Sequence, residues 1–436
     1  MAENVFVLGL DAHNAHILHG LPDADRYRFH PLLADGELAG GRSVDLPGLL
    51  DAAQRQVEAF DGPVHAVIGF WDFPVSTMLP ILCERLGLRW ATTEAVVKCE
   101  HKYWSRLEQA KVIDEVPRFG LLDLDDPALP AGVGYPVWLK PIRSASSELA
   151  FRADDPQQLA DGAATIARGI RRIGDAFGTV LDLLDLPPEL DGVGGSACLV
   201  EEAATGRLVT VEGYSFRGEV HVYGVVDSVT VPGGTSFLRY QYPSTIPAPV
   251  AERTAELSRR VIRQIGYDGT TFNIEYFWDV ERDALMLLEI NPRHSQSHAE
   301  LFAWVDGVAN HHHMLELALG REPRPPHRQG PHAVAAKWFV RRSTDGVIRR
   351  VPTADEIEQV ERAVGGCVVE VTVEPGERLS QRHDQDSYSY AIAHVYVGGA
   401  SEDELVGKYE QAVCALPFEI EDVEDPVGSD EEEPTA

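Results

Sequence analysis

Glu289, Asn291 and Arg293 occupy every second position of "MLLEINPR" (286–293), a run that begins as a buried strand should. Side chains alternate across a strand, so these three share one face. Burying a lone glutamate costs about 2 kcal/mol or more even with partial compensation. Something on that face must offset it. The preceding apolar run, "TTFNIEYF" (270–277), carries Asn273 and Glu275 at the same alternation. Folded as a hairpin, the two runs can set Glu275 opposite Glu289. Two carboxylates and an amide on one patch repel unless a cation lies between them. All three offer oxygen, which suits Mg²⁺ (or Mn²⁺) rather than zinc. A neighbouring arginine adds a site for polyphosphate.

Two lysines upstream could meet such a polyphosphate. Lys140 stands at the end of the strand "YPVWLKP" (135–141), and Lys102 lies in "CEHKYWSR" (99–106). After Lys140 comes "IRSASSE" (142–148), a turn of small residues. Its backbone N–H groups and the hydroxyls of Ser144, Ser146 and Ser147 can close over phosphates. Further on, "CLVEEAATG" (198–206) reads as a strand running into a turn. Its backbone could hinge an adenine ring while a carboxylate reaches the ribose.

This order of features resembles the ATP-grasp superfamily, over roughly residues 1–320, in its carboxylate–amine ligase and biotin-carboxylase-like branch. "LLEINPR" after "FNIEYF" is its most specific piece. The resemblance implies an ATP-grasp fold of α/β and α+β class, with an N-terminal Rossmann-like pre-grasp domain and a C-terminal α+β lid or accessory domain. It implies that Lys102 and Lys140 bind ATP, that Glu201 and Glu202 form the hinge, and that Glu212 stands near the triphosphate. Glu275, Glu289 and Asn291 then resemble the magnesium ligands, and Arg293 the group that steadies the phosphate during reaction. Three departures stand out. The loop after Lys140 has no glycine, Arg207 stands where many members have Glu, and residues 294–298 are unusually polar.

The elements that must position these residues follow from pattern. "NVFVLGL", "YRFHPLL" and "VHAVIGFWD" read as strands alternating with helices, hence a parallel sheet ending near residue 95. "EAVVKCEHKYWSRLEQAKV" reads as one charged helix with Lys98, Lys102 and Arg106 on one face, Lys98 toward solvent. The expected divisions are a pre-grasp domain 1–97, an ATP-grasp domain 98–322 with a lid at about 115–205, and an α+β domain 323–425. In that last domain one helix is expected, "ASEDELVGKYEQAVCAL". An acidic tail, 426–436, is expected to be disordered.

The 436 residues carry 69 acidic against 38 basic side chains, a formal charge of −31. That balance argues against nucleic acid or an anionic membrane as partner. No apolar run reaches the length of a membrane span, and the N-terminus lacks the basic start of a signal peptide. Five cysteines without a CxxC read as reduced thiols of a cytoplasmic protein.

Several residues keep two readings. His294, Ser295 and His298 either line a substrate pocket or serve the backbone. Arg239, in "SFLRYQYPS" (236–244), either grips a substrate carboxylate or sits in a packed loop. The triplet His311–His313 does not suit one metal, because consecutive helix positions face different ways. The expected reaction joins a small-molecule carboxylate to an amine at the expense of ATP, through an acyl phosphate, with ADP and phosphate released. The alternatives are a carboxy- or formyl-phosphate enzyme and a non-catalytic ATP binder. A homodimer remains open.

Overall fold

Apolar runs fix the N-terminal layer. In the computed structural model, β1 (Glu3–Leu8), β2 (Tyr27–Leu32) and β3 (Ala66–Ile68) form a parallel sheet in the order β2-β1-β3. Val5, Val7, Leu8, Val67 and Ile68 are fully buried, as a parallel sheet covered by helices requires. The helix Leu46–Glu58 packs beside it. Asp45 caps that helix by accepting the Gly48 N–H, and Leu46, Leu50, Ala53 and Val57 form its buried stripe. The structure describes residues 2–38, 44–144, 149–231, 236–382 and 389–423. Ser146, Ser147 and the tail 426–436 lie outside the described residues.

Two antiparallel sheets follow. The first, in the order β4-β7-β5-β6, contains β4 (Phe119–Leu122), β5 (Val137–Pro141), β6 (Phe151–Ala153) and β7 (Cys198–Glu202). The helix Pro156–Gly169 buries Leu159, Ala163 and Ile166 against Val137, Leu139 and Val200 of this sheet. The second contains β8 (Arg207–Phe216), β9 (Glu219–Thr230), β11 (Thr271–Asp279) and β12 (Ala284–Asn291), in the order β12-β11-β8-β9. Beneath it lies the helix Ala248–Ile265, which ends at Gly266 in the left-handed conformation, φ 76°.

The chain forms two compact units. One comprises Met1–Ser228 and Gln241–Pro331; the other comprises Val229–Tyr240 and His332–Ala436. In the second, β10 (Phe237–Tyr242), β13 (Val334–Arg342), β15 (Cys367–Val371) and β16 (Tyr390–Gly399) are ordered β10-β13-β16-β15. A smaller pair is formed by β14 (Gly346–Arg350) and β17 (Glu419–Asp422). "SFLRYQYPS" therefore supplies a strand rather than a loop, as its aromatic residues favour. A second helix, Ala354–Val364, joins the expected one at Glu402–Ala415. Its signature was legible in the capping box of Thr353 and Glu356.

One further difference bears on function. The expected single helix is two, Thr93–Glu100 and Lys102–Ala110, broken at His101. His101 adopts an extended conformation, and its Nδ1 accepts the Trp104 N–H as the cap of the second helix. The Lys102 N–H donates outside the helix, to the Ile142 carbonyl at 2.9 Å. The break thus ties Lys102 to the segment that follows β5. Lys98 does not face solvent: its ammonium pairs with Glu94 at 2.6 Å, and its side chain is 16% exposed.

Candidate active site

Register decides the central geometry. Glu275 of β11 stands directly opposite Glu289 of β12, and Asn273 opposite Asn291. On the other side of β11, Asn273 faces Glu212 of β8. The second strand carries a bulge, with Leu288 the extra residue, between the Tyr276–Leu287 and Glu275–Glu289 pairs.

Two of the three candidate metal ligands are carboxylates held apart in character by their surroundings. Burial and the Glu289 charge push the Glu275 carboxyl up. Glu289 moves down, because Lys102 and Lys140 outweigh its burial. Lys102 Nζ lies 3.2 Å from Glu289 Oε2. A cation between the two carboxylates would remove the conflict that raises Glu275. The third candidate is oriented by its neighbour. The Asn273 amide donates to the Arg293 carbonyl at 2.9 Å, so its Oδ1 must face Asn291 and accept that residue's Nδ2 at 2.9 Å. The Asn291 oxygen is thereby left pointing away, an acceptor available to a cation. Among the described residues no three His, Cys, Asp or Glu side chains gather to hold a metal unaided. Two carboxylates and one amide suit Mg²⁺, which takes few protein ligands and completes its shell with water and substrate phosphates.

The lysines are equally constrained. Lys140 Nζ lies 2.7 Å from Glu201 Oε1, while Arg106 Nε lies 2.8 Å from Glu201 Oε2. Burial would raise the Glu201 carboxyl, but Arg106 and Lys140 bring it down to about 2. Arg106 also donates to the carbonyls of Leu287 and Leu288, which ties the helix Lys102–Ala110 to β12. The Lys102 ammonium donates to the Ser144 carbonyl at 3.1 Å. Glu202 is half-buried and accepts the Gly134 N–H at 3.1 Å. With these pairs in place the cleft between Lys102, Lys140, Glu201, Glu289 and Asn291 holds about 30 Å³ of open space, little more than water needs. A nucleotide entering it must take the lysines from their carboxylates.

Arg293 is held by a residue that sequence reasoning missed. Asp72, just after β3, accepts Arg293 Nη2 at 3.0 Å through Oδ2 and Arg143 Nη2 at 2.5 Å through Oδ1. Burial opposes its ionisation, but the two guanidinia hold its carboxyl far below the usual carboxylate range. Arg143 is itself buried and faces Glu100 at 3.5 Å, a carboxylate that Ser76 and Thr77 also contact. The signal available for Asp72 was its place at the carboxyl end of a parallel strand, where open α/β sheets bind ligands.

Glu212 lies fully buried at the edge of the row. Its Oε1 accepts the Ser295 N–H at 3.0 Å and sits 2.8 Å from His298 Nδ1; its Oε2 accepts the Tyr223 hydroxyl at 2.9 Å. Ser295 and His298 are thus gathered around Glu212. His294 is buried against His311, with Nδ1 3.2 Å from Thr271 Oγ1, and burial keeps its imidazole neutral. Arg239 belongs to the other unit. It pairs there with Glu402 and lies 5.0 Å from the Trp338 ring.

The fold is shared with solved enzymes. An L-amino acid ligase from Bacillus licheniformis superposes with a TM-score of 0.70 at 15% identity, covering 95% of this chain and 98% of the other. A phosphoribosylglycinamide synthetase from Anaerococcus prevotii gives 0.61 at 13%, covering 96% and 99%. A biotin carboxylase from Campylobacter jejuni, solved as a β,γ-ATP complex, gives 0.65 at 14%, covering 96% and 92%. The chain has the ATP-grasp fold. No protein-family model matches its sequence, and no curated protein matches it.

Proposed function

We propose that this protein is an ATP-dependent ligase that joins a small-molecule carboxylate to an amine. The observation that carries the reading is the facing pair Glu275 and Glu289, with the oriented Asn291 oxygen beside it and Lys102 and Lys140 converging on the cleft that Glu289 and Asn291 line. A carboxylate is a poor electrophile because its leaving group would be oxide. Transfer of the γ-phosphoryl group to a carboxylate oxygen releases ADP and gives an acyl phosphate. The amine then attacks the carbonyl carbon, phosphate leaves, and the nitrogen loses a proton. Bound Mg²⁺ (or Mn²⁺) supplies charge neutralisation on the phosphate oxygens, held by Glu275, Glu289 and Asn291.

The chain's own groups position and neutralise. Lys102, fixed at a helix start, and Lys140, at a strand end, exchange their carboxylate partners for phosphate oxygens. Ser144 is assigned to the phosphates, as are Ser146 and Ser147, which lie outside the described residues. Glu201 and Glu202 end the strand against which the adenosine rests, and Glu212 fixes the segment bearing Ser295 and His298. Arg293 steadies the transferred phosphoryl group. The division 1–97, 98–322 and 323–425 is retained for this reading, and reduced thiols suit a cytoplasmic setting; all five cysteines are free. No helix among the described residues is long and apolar enough to cross a membrane.

The test is ADP release from Mg·ATP over a panel of amino acids and simple amines. Amine-dependent ADP release, with an amide product seen by mass spectrometry, is expected. Release that needs bicarbonate and no amine would overturn the reading in favour of a carboxyphosphate enzyme, the alternative that the likeness to biotin carboxylase favours.

A further inference from the structure

A cavity of about 310 Å³ is lined in part by Tyr223, whose hydroxyl donates to Glu212. That volume is at the small end of the roughly 300–1,000 Å³ typical of small-molecule sites. Val222, Tyr223, Phe302 and Val308 give it apolar walls, and Asp306, His313 and the exposed His327 are its polar groups. The Phe302 ring packs so tightly on Gly224 of β9 that a Cβ there would meet it at 2.6 Å, so the glycine sets this wall.

We infer that this cavity seats an amine whose body is apolar and about the size of one ring. The inference rests on the ligase reading for the amine's role, although binding alone can be measured without turnover.

Three observations carry it. First, Asp306 presents an acceptor to the cavity. Asp306 accepts the Tyr242 hydroxyl at 2.8 Å and the Arg328 N–H at 2.9 Å, and its Oδ1 lies 3.3 Å from His327 Nδ1. A carboxylate offers about four lone-pair sites, so one remains. Second, His313 is a buried acceptor without a donor. Its Nδ1 faces the Asn310 carbonyl at 3.3 Å, and a carbonyl only accepts, so the proton sits on Nδ1 and the lone pair on Nε2. That Nε2 has no partner among the described residues. The ring is stacked on Tyr223 at 4.0 Å, and burial holds it neutral, its pKa down to about 3. Third, the described lining contains no lysine or arginine to attract an anionic ligand, and Asp306 would repel one.

The position fits the proposed chemistry. Tyr223 bonds to Glu212, which faces Asn273, which faces Asn291. Two strand spacings separate Glu212 from Asn291, roughly 10 Å. The cavity is thus joined to the reacting row through Tyr223 and Glu212.

The experiment is calorimetric titration of the full-length protein with phenethylamine, 3-phenylpropionate and ethylamine. Phenethylamine is expected to bind, and the other two at least tenfold more weakly. Asp306→Asn should narrow the gap between phenethylamine and 3-phenylpropionate to less than threefold. Val308→Phe should weaken phenethylamine at least tenfold by filling the space. His327→Trp, at an exposed position of the lining, is the second blocker should the buried change unfold the chain. No heat from phenethylamine, equal binding of the acid, or wild-type affinity in both blocked variants would overturn the inference. The ligase reading fails separately. If phenethylamine binds as expected yet no amine supports ADP release, the pocket stands and the ligase does not. If amines drive ADP release with constants that neither blocker changes, the ligase stands and the pocket does not.

Discussion

Arg293 offers the sharpest test of the catalytic reading, because Asp72 fixes where its guanidinium points. Arg293→Ala is expected to lower kcat by about a hundredfold, about 3 kcal/mol, by analogy with loss of one donor to a developing charge. The Michaelis constant for ATP should move much less, because the contact strengthens as charge builds. Asp72 provides the internal control. At 3.0 Å the pair attracts by roughly 5 kcal/mol at an effective dielectric of about 20. Asp72 is 29% exposed, however, and desolvation offsets much of the rest, so about 1–2 kcal/mol of net orientation remains. Asp72→Asn keeps one acceptor and should cost about tenfold in kcat, near 1.4 kcal/mol. In the Arg293→Ala background the same change should cost almost nothing, since the residue it positions is gone. The assay is steady-state ADP release for the four proteins of the cycle, with melting temperatures alongside. Multiplying losses in kcat, or a fall in melting temperature with kcat intact, would refute the reasoning and leave Arg293 a structural ion pair. Arg293→Lys should rescue poorly, because an ammonium cannot make the planar two-point contact.

Other predictions concern the row and its anchors. Glu289→Gln should abolish Mg²⁺-dependent turnover while circular dichroism and melting stay near wild type; normal turnover at saturating Mg²⁺ would remove it from the metal set. Lys140→Ala should weaken ATP binding at least tenfold in a direct titration, and unchanged affinity would contradict its phosphate role. Glu201 carries a pH signature. Its carboxyl falls from 4.5 to about 2 on folding, so its stabilisation is present above the unfolded value and lost as pH falls through the folded one. At 1.36 kcal/mol per unit this amounts to roughly 3 kcal/mol between about pH 4.5 and 2. Denaturant melts should therefore show a steeper loss over that window for wild type than for Glu201→Gln, and parallel curves would be the contrary result.

Legibility followed sequence distance. Period-two alternation was enough to read Glu275, Glu289 and Asn291 onto one face, because a hairpin keeps both strands within a few residues and fixes their register. Lys140 was readable as a lysine that a strand interior would not choose. The helix break at His101 is hidden from sequence periodicity for a physical reason. The helical period runs on through His101, but its buried side chain caps the second helix while Lys102 spends its N–H on Ile142. Periodicity reports which face is apolar and says nothing of where one backbone N–H goes.

What stayed hidden was made by contacts between distant segments. Asp72 lies 71 residues from Arg143 and 221 from Arg293, so no spacing rule links them. The same holds for Arg106 and Glu201, 95 residues apart. Each of these charges is partly or wholly buried, and a buried charge persists only when paired. Arg143 and Glu100 are each about 5% exposed, which by itself demands a partner. The sequence supplies the demand, an arginine after "KP" and a glutamate inside an apolar helix, but folding selects which charges answer it. In this cleft the answer is a connected set. Lys102, Lys140 and Arg293 are each held by a carboxylate, and in the proposed reaction the first two exchange theirs for phosphate. Asp72 is the exception, since Arg143 shares it and keeps it charged, so Arg293 remains anchored at one end while its buried Nε has no partner among the described residues. An anchored guanidinium loses little entropy when charge develops in front of it, which is the property the proposed reaction asks of this residue.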